Sequence, residues 1–272
     1  MSVLSFDTRL LSGLPHVAGI SDLEIRETAI GTFLYSVSEL DGGLGVYHLD
    51  GQTPILIDSL AYSTGSGTLG ASELLLGSIS GRDFLLPAGR FDDRAVIHET
   101  TTSGQFLTST AAPSSGGSEA GWAETASAVF GGDTFVFAHR RGHTGVEVFR
   151  LNSDLSMTKM AGAQPPALSS MEEVSALATL QRGETTMLIA ASALDSSLGV
   201  FALGSDGSFS EVHKMEPGVG MPINTPVDSE IVSIGQSDYL VLGSFGTSSL
   251  SVFRVTQDGN LILTDHKIDD LN

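Results

Sequence analysis

A repeat of about 52 residues runs along the sequence and constrains the fold more than any other feature. In one register, valines recur with steps of 50, 52, 52 and 52 residues, at Val46, Val96, Val148, Val200 and Val252. A second register lies in apolar runs such as TFLYSV and DYLVLG. Their central residues recur with steps of 51, 51, 52 and 52 residues, at Leu34, Leu85, Val136, Leu188 and Leu240, and we call these five residues the anchors. Because two registers share one period, the chain is built from repeats.

Each repeat predicts four short strands joined by tight turns. In the last repeat these pieces are Ser229–Gly235, Asp238–Phe245, Leu250–Thr256 and Asn260–Ile268, and an Asp-Gly pair of the kind that favours hairpins joins the last two. A four-stranded antiparallel meander cannot bury both of its faces alone, and radial packing of such sheets gives a β-propeller. We therefore expect an all-β fold, a single β-propeller domain over residues 1-272 with five blades at approximately 20-70, 71-121, 122-171, 172-225 and 226-272.

The N-terminal segment predicts an additional strand. Ser2–Asp22 is similar to a fourth strand followed by the linker that leads into the next blade. Two arrangements are consistent with this strand. In the first, five blades close a ring and the extra strand adds to an edge. In the second, the chain is part of a six- or seven-bladed ring. The second arrangement leaves an open sheet face and favours self-association through the open blade edge.

The composition supports a β-rich domain and excludes several classes of function. Apolar residues make up 41% of the chain, whereas only 17% of residues are charged and 32 are glycine, as is typical of many short strands and turns. With 13 Lys and Arg against 32 Asp and Glu, the formal net charge of −19 argues against nucleic-acid binding. The absence of cysteine excludes disulfides, thiolate metal sites and a cysteine nucleophile.

Two segments resemble the blades of a known family. YLVLGSFGTSSLSVFRVTQDGNL (Tyr239–Leu261) and, less closely, FLYSVSELDGGLGVYHLDG (Phe33–Gly51) resemble the repeats of the lactonase-like β-propeller family, named for 6-phosphogluconolactonase. The resemblance implies propeller blades and lactone hydrolysis, although members of that family have seven blades. The acidic, cysteine-free, glycine-rich composition is also similar to propeller segments of bacterial proteins exported by type I secretion.

These features lead to an expectation about localisation. The N-terminal sequence MSVLSFDTRLL lacks a basic segment followed by an apolar run, and the near-apolar stretch Met187–Ala191 is too short to cross a bilayer. We therefore expect no membrane insertion. The expected location is extracellular or on the cell surface, reached by a route that needs no signal peptide, and the alternative is cytoplasmic.

Acidic residues recur twelve positions before the anchors. They are Asp22, Glu73, Glu124 and Asp228, and only the fourth repeat departs, with Ala176. Here the linker enters the innermost strand, at the mouth of the central channel. Clustered carboxylates repel one another unless a cation or hydrogen-bond donors offset them, and oxygen ligands suit Ca²⁺. This predicts a calcium site formed by these four residues. The alternative is that each carboxylate accepts backbone N–H bonds and fixes a linker.

The turn HRRGHTG (His139–Gly145) is the one dense basic segment of an acidic chain. Beside the carboxylates it could receive an anionic group, with arginine as a clamp and histidine as a general base. His139, Arg141, His143 and Glu124 are therefore the candidate catalytic residues. The alternative is a structural turn that pairs with acidic neighbours such as Asp92.

No complete catalytic set is evident in the sequence. We therefore expect a non-catalytic binding or structural module of a secreted or surface-associated bacterial protein, with a protein or carbohydrate ligand at the channel-mouth face. The alternative is a lactonase-like hydrolase that acts at the channel mouth, with or without a divalent cation.

Overall fold

The computed structural model describes residues 15–50, 53–92, 94–112, 121–216, 218 and 223–269, and they form five four-stranded sheets. Blade 1 contains β1 (Ile20–Thr28), β2 (Gly31–Ser38), β3 (Leu44–Asp50) and β4 (Thr53–Leu60), and blade 2 contains β5 (Ala71–Ile79), β6 (Arg82–Gly89), β7 (Val96–Thr100) and β8 (Phe106–Ala111). Blade 3 contains β9 (Trp122–Phe130), β10 (Asp133–Arg140), β11 (Glu147–Leu151) and β12 (Met157–Lys159). Blade 4 contains β13 (Val174–Arg182), β14 (Thr185–Ser192), β15 (Ser197–Leu203) and β16 (Phe209–Met215), and blade 5 contains β17 (Pro226–Ile234), β18 (Ser237–Ser244), β19 (Ser249–Val255) and β20 (Leu261–Ile268).

Each blade is an antiparallel meander in which strands that follow one another in the chain are neighbours in the sheet. The fold is therefore a five-bladed β-propeller, which confirms the fold class predicted from the repeat. One short helix, α1 (Pro166–Ser169), precedes blade 4. The predicted extra strand within Ser2–Leu11 lies outside the described residues.

The described chain groups into two compact units. The first comprises the described residues up to Ala123 together with Asn152–Met157, and the second comprises Glu124–Leu151 and the described residues from Thr158 onward. In the first unit, Phe33, Tyr35 and Val37 of β2 pack against Leu74 and Leu85 of blade 2. The expectation of one domain over residues 1-272 stays a prediction.

The second unit has two apolar cores, one on each side of blade 4. Leu188 and Ala190 of β14 face Phe135 and Phe137 of blade 3, whereas their neighbour Ile189 faces blade 5. This division follows from the alternation of side chains along a strand, which sends successive residues to opposite faces of the sheet. The anchor Leu188 therefore packs toward the preceding blade, and its neighbour Ile189 packs toward the next.

An aromatic ring is buried at the position 13 residues after each anchor. The residues at this position are Tyr47, His98, Phe149, Phe201 and Phe253, and all five are buried. Four of them are phenylalanine or tyrosine. His98 of blade 2 is the exception, and its buried imidazole is satisfied by hydrogen bonds of its Nδ1 to Ser109 Oγ (2.9 Å) and of its Nε2 to the Ser66 carbonyl (3.0 Å).

Serine hydroxyls link the first strands of consecutive blades. Ser21 Oγ donates to the Ala71 carbonyl at 2.6 Å and Ser72 Oγ to the Ala123 carbonyl at 3.1 Å, both within the first unit. In the second unit, Ser175 Oγ donates to the Pro226 carbonyl at 2.6 Å. All three serines lie 13 residues before an anchor, so the same bond is repeated.

Across the described residues, no helix is long and apolar enough to cross a membrane.

Candidate functional site

In blades 1, 2, 4 and 5, the linker that enters the blade is tied to the turn between its second and third strands by a repeated backbone hydrogen bond. The N–H five residues after the anchor donates to the carbonyl 15 residues before it: Glu39 to Gly19 (2.9 Å), Arg90 to Gly70 (3.4 Å), Ala193 to Glu173 (3.0 Å) and Phe245 to Thr225 (2.9 Å). The accepting residue has a positive φ in all four blades, between 48° and 70°. Glycine adopts this conformation freely, whereas Glu173 and Thr225 adopt it against their side-chain preference. We call this region of a blade its linker end.

A turn carboxylate supports the same connection from seven residues after the anchor. Asp92 Oδ2 accepts the N–H of Leu69 at 2.9 Å, and Asp195 Oδ2 accepts the N–H of Glu172 at 2.8 Å. The equivalent Asp41 accepts the N–H of Gly43 at 3.0 Å. These aspartates therefore stabilise linkers and turns. The spacing of 51 residues between Asp41 and Asp92 carried this signal in the sequence.

Replacing Asp92 by alanine is expected to lower the free energy of unfolding by about 1–3 kcal/mol, because the part-buried N–H of Leu69 loses its acceptor. Chemical denaturation monitored by circular dichroism measures this change. Asp133→Ala, at an exposed position of β10, is the matched control and should change the free energy by less than about 0.5 kcal/mol. Equal effects of the two substitutions would contradict the role assigned to Asp92.

The recurrent acids twelve residues before the anchors occupy the first strands of their blades. In the first unit, both oxygens of Asp22 accept backbone N–H bonds, Oδ1 from Leu23 (2.7 Å) and Oδ2 from Leu74 of blade 2 (2.8 Å), and Glu73 is half-buried. Asp22 thus joins the first strands of blades 1 and 2 through backbone N–H bonds.

In the second unit, Glu124 is buried in β9 and Asp228 is exposed in β17. Within the described residues, no group of three or more His, Asp or Glu side chains is arranged to hold a metal ion. Calcium binding by Asp22, Glu73, Glu124 and Asp228 stays a prediction.

The basic segment of blade 3 is divided between strand and turn. β10 continues to Arg140, so His139 and Arg140 are strand residues, and only Arg141–Gly145 form the turn. Side-chain alternation places His139 on the same face as Phe135 and Phe137, and its exposed fraction is 0%. Arg141 and His143 are exposed. The structure therefore separates the buried His139 from the two exposed candidates.

His139 holds the shape of this turn. Its Nδ1 lies 2.9 Å from the Gly145 carbonyl oxygen, so Nδ1 carries the proton and Nε2 is left with a lone pair that has no hydrogen-bond partner. Burial lowers the pKa of His139 below its ordinary value; the bond to Gly145 and the charge of Glu173 oppose this shift. The imidazole is therefore neutral at pH 7.

Arg140 is also buried and is held by an ion pair with Glu147, with Nε 2.6 Å from Oε2. Lys159 contacts the other oxygen of the same carboxylate. Positions equivalent to Arg140 carry Ser38 in blade 1 and Ser192 in blade 4, and each of these hydroxyls donates to a linker carbonyl. Arg140 therefore departs from the pattern of the repeat, in which this position carries a small residue.

Blade 3 departs from the repeat at three neighbouring positions. His139 stands where the other blades have Val37, Ala88, Ala191 and Gly243, Arg140 stands where they have serine or glycine, and His143 stands where three of them have aspartate. In a repeat protein, positions that break the shared structural rule are expected at functional sites. The candidate site is therefore the linker end of blade 3, formed by residues 139–145.

No family profile matches the chain, and no curated protein matches it by sequence. Solved structures match it by fold. A protein from Lactobacillus plantarum has a TM-score of 0.63 at 16% identity, over 89% of this chain and 69% of that chain. The periplasmic gluconolactonase of Pseudomonas aeruginosa has a TM-score of 0.60 at 13% identity, over 89% of this chain and 69% of that chain. A GH43_1 enzyme from Xanthomonas citri has a TM-score of 0.57 at 12% identity, over 90% and 91%.

These likenesses confirm the resemblance to lactonase-like β-propellers at the level of the fold. Identities in this range establish the fold alone. The site of the chain is therefore defined by its own residues.

Proposed function

We propose that the chain is a non-catalytic β-propeller binding module that contacts its ligand through the linker end of blade 3. The observation that carries this proposal is the departure of His139, Arg140 and His143 from the residues at the equivalent positions of the other blades, some of which hold linkers, such as Ser38 and Asp92. The proposal includes the secreted or cell-surface bacterial setting expected from the composition. It also includes an acidic ligand, either a protein or a carbohydrate.

The chemistry of the turn supports an acidic ligand. Arg141 is an exposed residue of the turn, and a guanidinium can bind a carboxylate through two parallel hydrogen bonds. The exposed imidazole of His143 lies two residues further along the turn. Behind them, His139 and the ion pair of Arg140 with Glu147 hold the end of β10 in place. A rigid support of this kind reduces the entropy that a binding turn loses when its ligand docks.

The burial of His139 favours binding over catalysis. A general base must come within hydrogen-bond reach of the proton that it removes, directly or through one water. His139 is fully buried, and the described residues around it include no solvent-exposed carboxylate bonded to the ring. The alternative function, a lactonase-like hydrolase, is favoured by one observation: the neutral Nε2 of His139 has the lone pair that a base requires.

Binding is tested with oligogalacturonate and with a glutamate-rich peptide as acidic probes, using isothermal titration calorimetry at low salt. Replacing Arg141 by alanine, alone and with His143→Ala, is expected to weaken binding of the recognised probe roughly 10- to 100-fold, because charged hydrogen bonds contribute about 1.5–3 kcal/mol. Arg150→Ala in β11 of the same blade is the matched control and should leave affinity unchanged. Equal loss in the control, or binding of neither probe, contradicts the proposal.

The hydrolase alternative is tested with glucono-δ-lactone. The proposal expects hydrolysis no faster than in buffer. A faster rate that His139→Gln abolishes, with the melting temperature unchanged, would establish the hydrolase instead.

A further inference from the structure

A cavity of about 400 Å³ lies at the linker end of blade 4. Residues of α1, β15, β16 and the loops next to them line it, and all of these residues belong to the second compact unit. A volume of this size falls within the range of pockets that hold small ligands. The apolar part of the lining is Ala167 and Met171, and the polar part includes Asp195, Ser197, Lys214 and Glu216.

The cavity lies on the side of blade 4 that faces blade 3. Leu198 of β15 is buried in the core shared with blade 5, and Met215 of β16 packs against the same core. Because side chains alternate along a strand, Ser197 and Lys214 are directed to the opposite side. Two facing strands therefore direct these two polar residues into one space, which α1 borders.

Ser197 is buried without a hydrogen-bond partner for its side chain. Its exposed fraction is 4%, and its Oγ makes no hydrogen bond to any residue that the structure describes. In blade 5 the equivalent Ser249 is bonded to Thr247, with 2.7 Å between the two hydroxyl oxygens. A buried hydroxyl without a partner costs free energy and requires an explanation. A ligand that occupies the cavity supplies the missing bond.

Asp195 offers a second acceptor to the cavity. Its Oδ2 accepts the N–H of Glu172 at 2.8 Å and the hydroxyl of Ser192 at 3.0 Å. Its Oδ1 makes no hydrogen bond within the described part of the chain. One oxygen of this carboxylate therefore holds the linker, and the other remains available to a donor.

The charges of the lining select the sign of the ligand. Lys214 Nζ lies 2.6 Å from Glu216 Oε1, so these two charges offset each other. The carboxylate of Asp195 then gives the cavity a net negative charge. The formal charge of −19 on the whole chain attracts cations to it as well.

We propose that this cavity binds a primary ammonium group at the end of an alkyl chain. The ammonium donates to Asp195 Oδ1 and Ser197 Oγ, and charged hydrogen bonds of this kind are stronger than neutral ones. The alkyl chain packs on the buried side chains of Ala167 and Met171. Such a group is carried by a lysine side chain of a partner protein or by a free diamine. The proposal does not depend on the acidic ligand proposed for residues 139–145.

Isothermal titration calorimetry of the full chain at low salt tests the proposal with two probes. Nα-acetyl-lysine methylamide represents the lysine side chain, and cadaverine represents the free diamine. The wild type is expected to bind at least one of them with a dissociation constant below about 1 mM. The Nε-acetylated form of the lysine probe has lost its charge and should bind at least about tenfold more weakly than the lysine probe. The tighter of the two charged probes identifies the source of the ammonium.

Two substitutions test the acceptors. Asp195→Asn should weaken binding roughly 10- to 100-fold, because it removes a charged acceptor. Ser197→Ala should weaken binding roughly two- to tenfold and leave the bonds of Asp195 to the linker in place. It should not lower the melting temperature, since the hydroxyl has no partner among the described residues.

Two controls separate this site from other parts of the molecule. Glu184→Gln removes an exposed carboxylate between β13 and β14 and should leave affinity unchanged. Arg141→Ala should also leave it unchanged, which distinguishes this cavity from the basic turn of blade 3. Circular dichroism verifies that every variant is folded.

Four results would overturn the proposal. These are no binding of either charged probe at millimolar concentration, equal binding of the Nε-acetylated probe, a loss in Glu184→Gln equal to that in Asp195→Asn, or an unchanged affinity in Ser197→Ala. Failure of the acidic probes to bind at residues 139–145 would leave this proposal standing.

Discussion

Replacing Phe201 by alanine is expected to lower the free energy of unfolding by about 3–5 kcal/mol, the range typical of removing a buried phenylalanine ring. Phe201 is fully buried in the core shared by blades 3 and 4, where Phe137, Val148 and Leu188 surround it. The lost ring leaves a cavity between two sheets whose backbones are held by their own hydrogen bonds, so the site cannot collapse. The change therefore weakens the packing of one blade on the next.

Guanidinium denaturation measures this effect as a lower midpoint at an unchanged slope. The control is Phe245→Ala, which removes the same ring from a position that is 77% exposed and should cost less than about 0.5 kcal/mol. A loss below about 1 kcal/mol for Phe201→Ala would show that contacts between blades 3 and 4 contribute little to stability.

Acid is expected to destabilise the protein through His98. Burial lowers the pKa of His98 to about 4 in the folded chain, against about 6.5 when it is unfolded. Between these two pKa values, His98 binds a proton in the unfolded chain but not in the folded chain. The free energy of unfolding therefore falls as the pH falls. The contribution is fully present above pH 6.5 and, by linkage, about 3 kcal/mol of it is lost on reaching pH 4.

His98→Phe restores the aromatic residue that three of the other blades carry at this position, and it should remove this part of the pH dependence. The comparison is between the wild type and the variant, each unfolded at pH 7 and at pH 4, because carboxylates titrate in the same interval in both proteins. His143→Phe replaces an exposed histidine and serves as the control. An unchanged difference between the two pH values in His98→Phe would refute the assignment of acid sensitivity to His98.

The strands of blade 5 show how much of the fold the repeat predicts. Asp238–Phe245 was expected as the second strand and β18 is Ser237–Ser244; Asn260–Ile268 was expected as the fourth and β20 is Leu261–Ile268. Apolar alternation and the Asp-Gly turn determine these limits, and both are local signals. Because the signals recur in each repeat, an error at one strand boundary does not change the number of blades.

The site was less predictable, because the same residue types serve two roles in it. Asp92 was expected as an ion-pair partner of the basic turn, which stays a prediction, and its carboxylate also accepts the backbone N–H of Leu69, a role that the sequence did not indicate. His139 looked like a turn residue near solvent, and it is buried because β10 extends to Arg140 and alternation sends residue 139 inward. Because β10 ends with His139 and Arg140, these two residues belong to the strand and not to the exposed turn. Departure from the repeat was the signal that could have identified Arg140 from sequence.

The hydrogen bond that joins turn and linker in blades 1, 2, 4 and 5 has a consequence for how the chain folds. It closes over 20 residues, as from Glu39 to Gly19, and lies within a single blade. Contacts close in sequence form quickly, because the entropy lost in closing the loop is small. The bonds between blades, such as Ser175 to Pro226 at a separation of 51 residues, need the next blade in place. Each of these four blades can therefore form its turn-to-linker bond during synthesis, before the blade that follows it has folded.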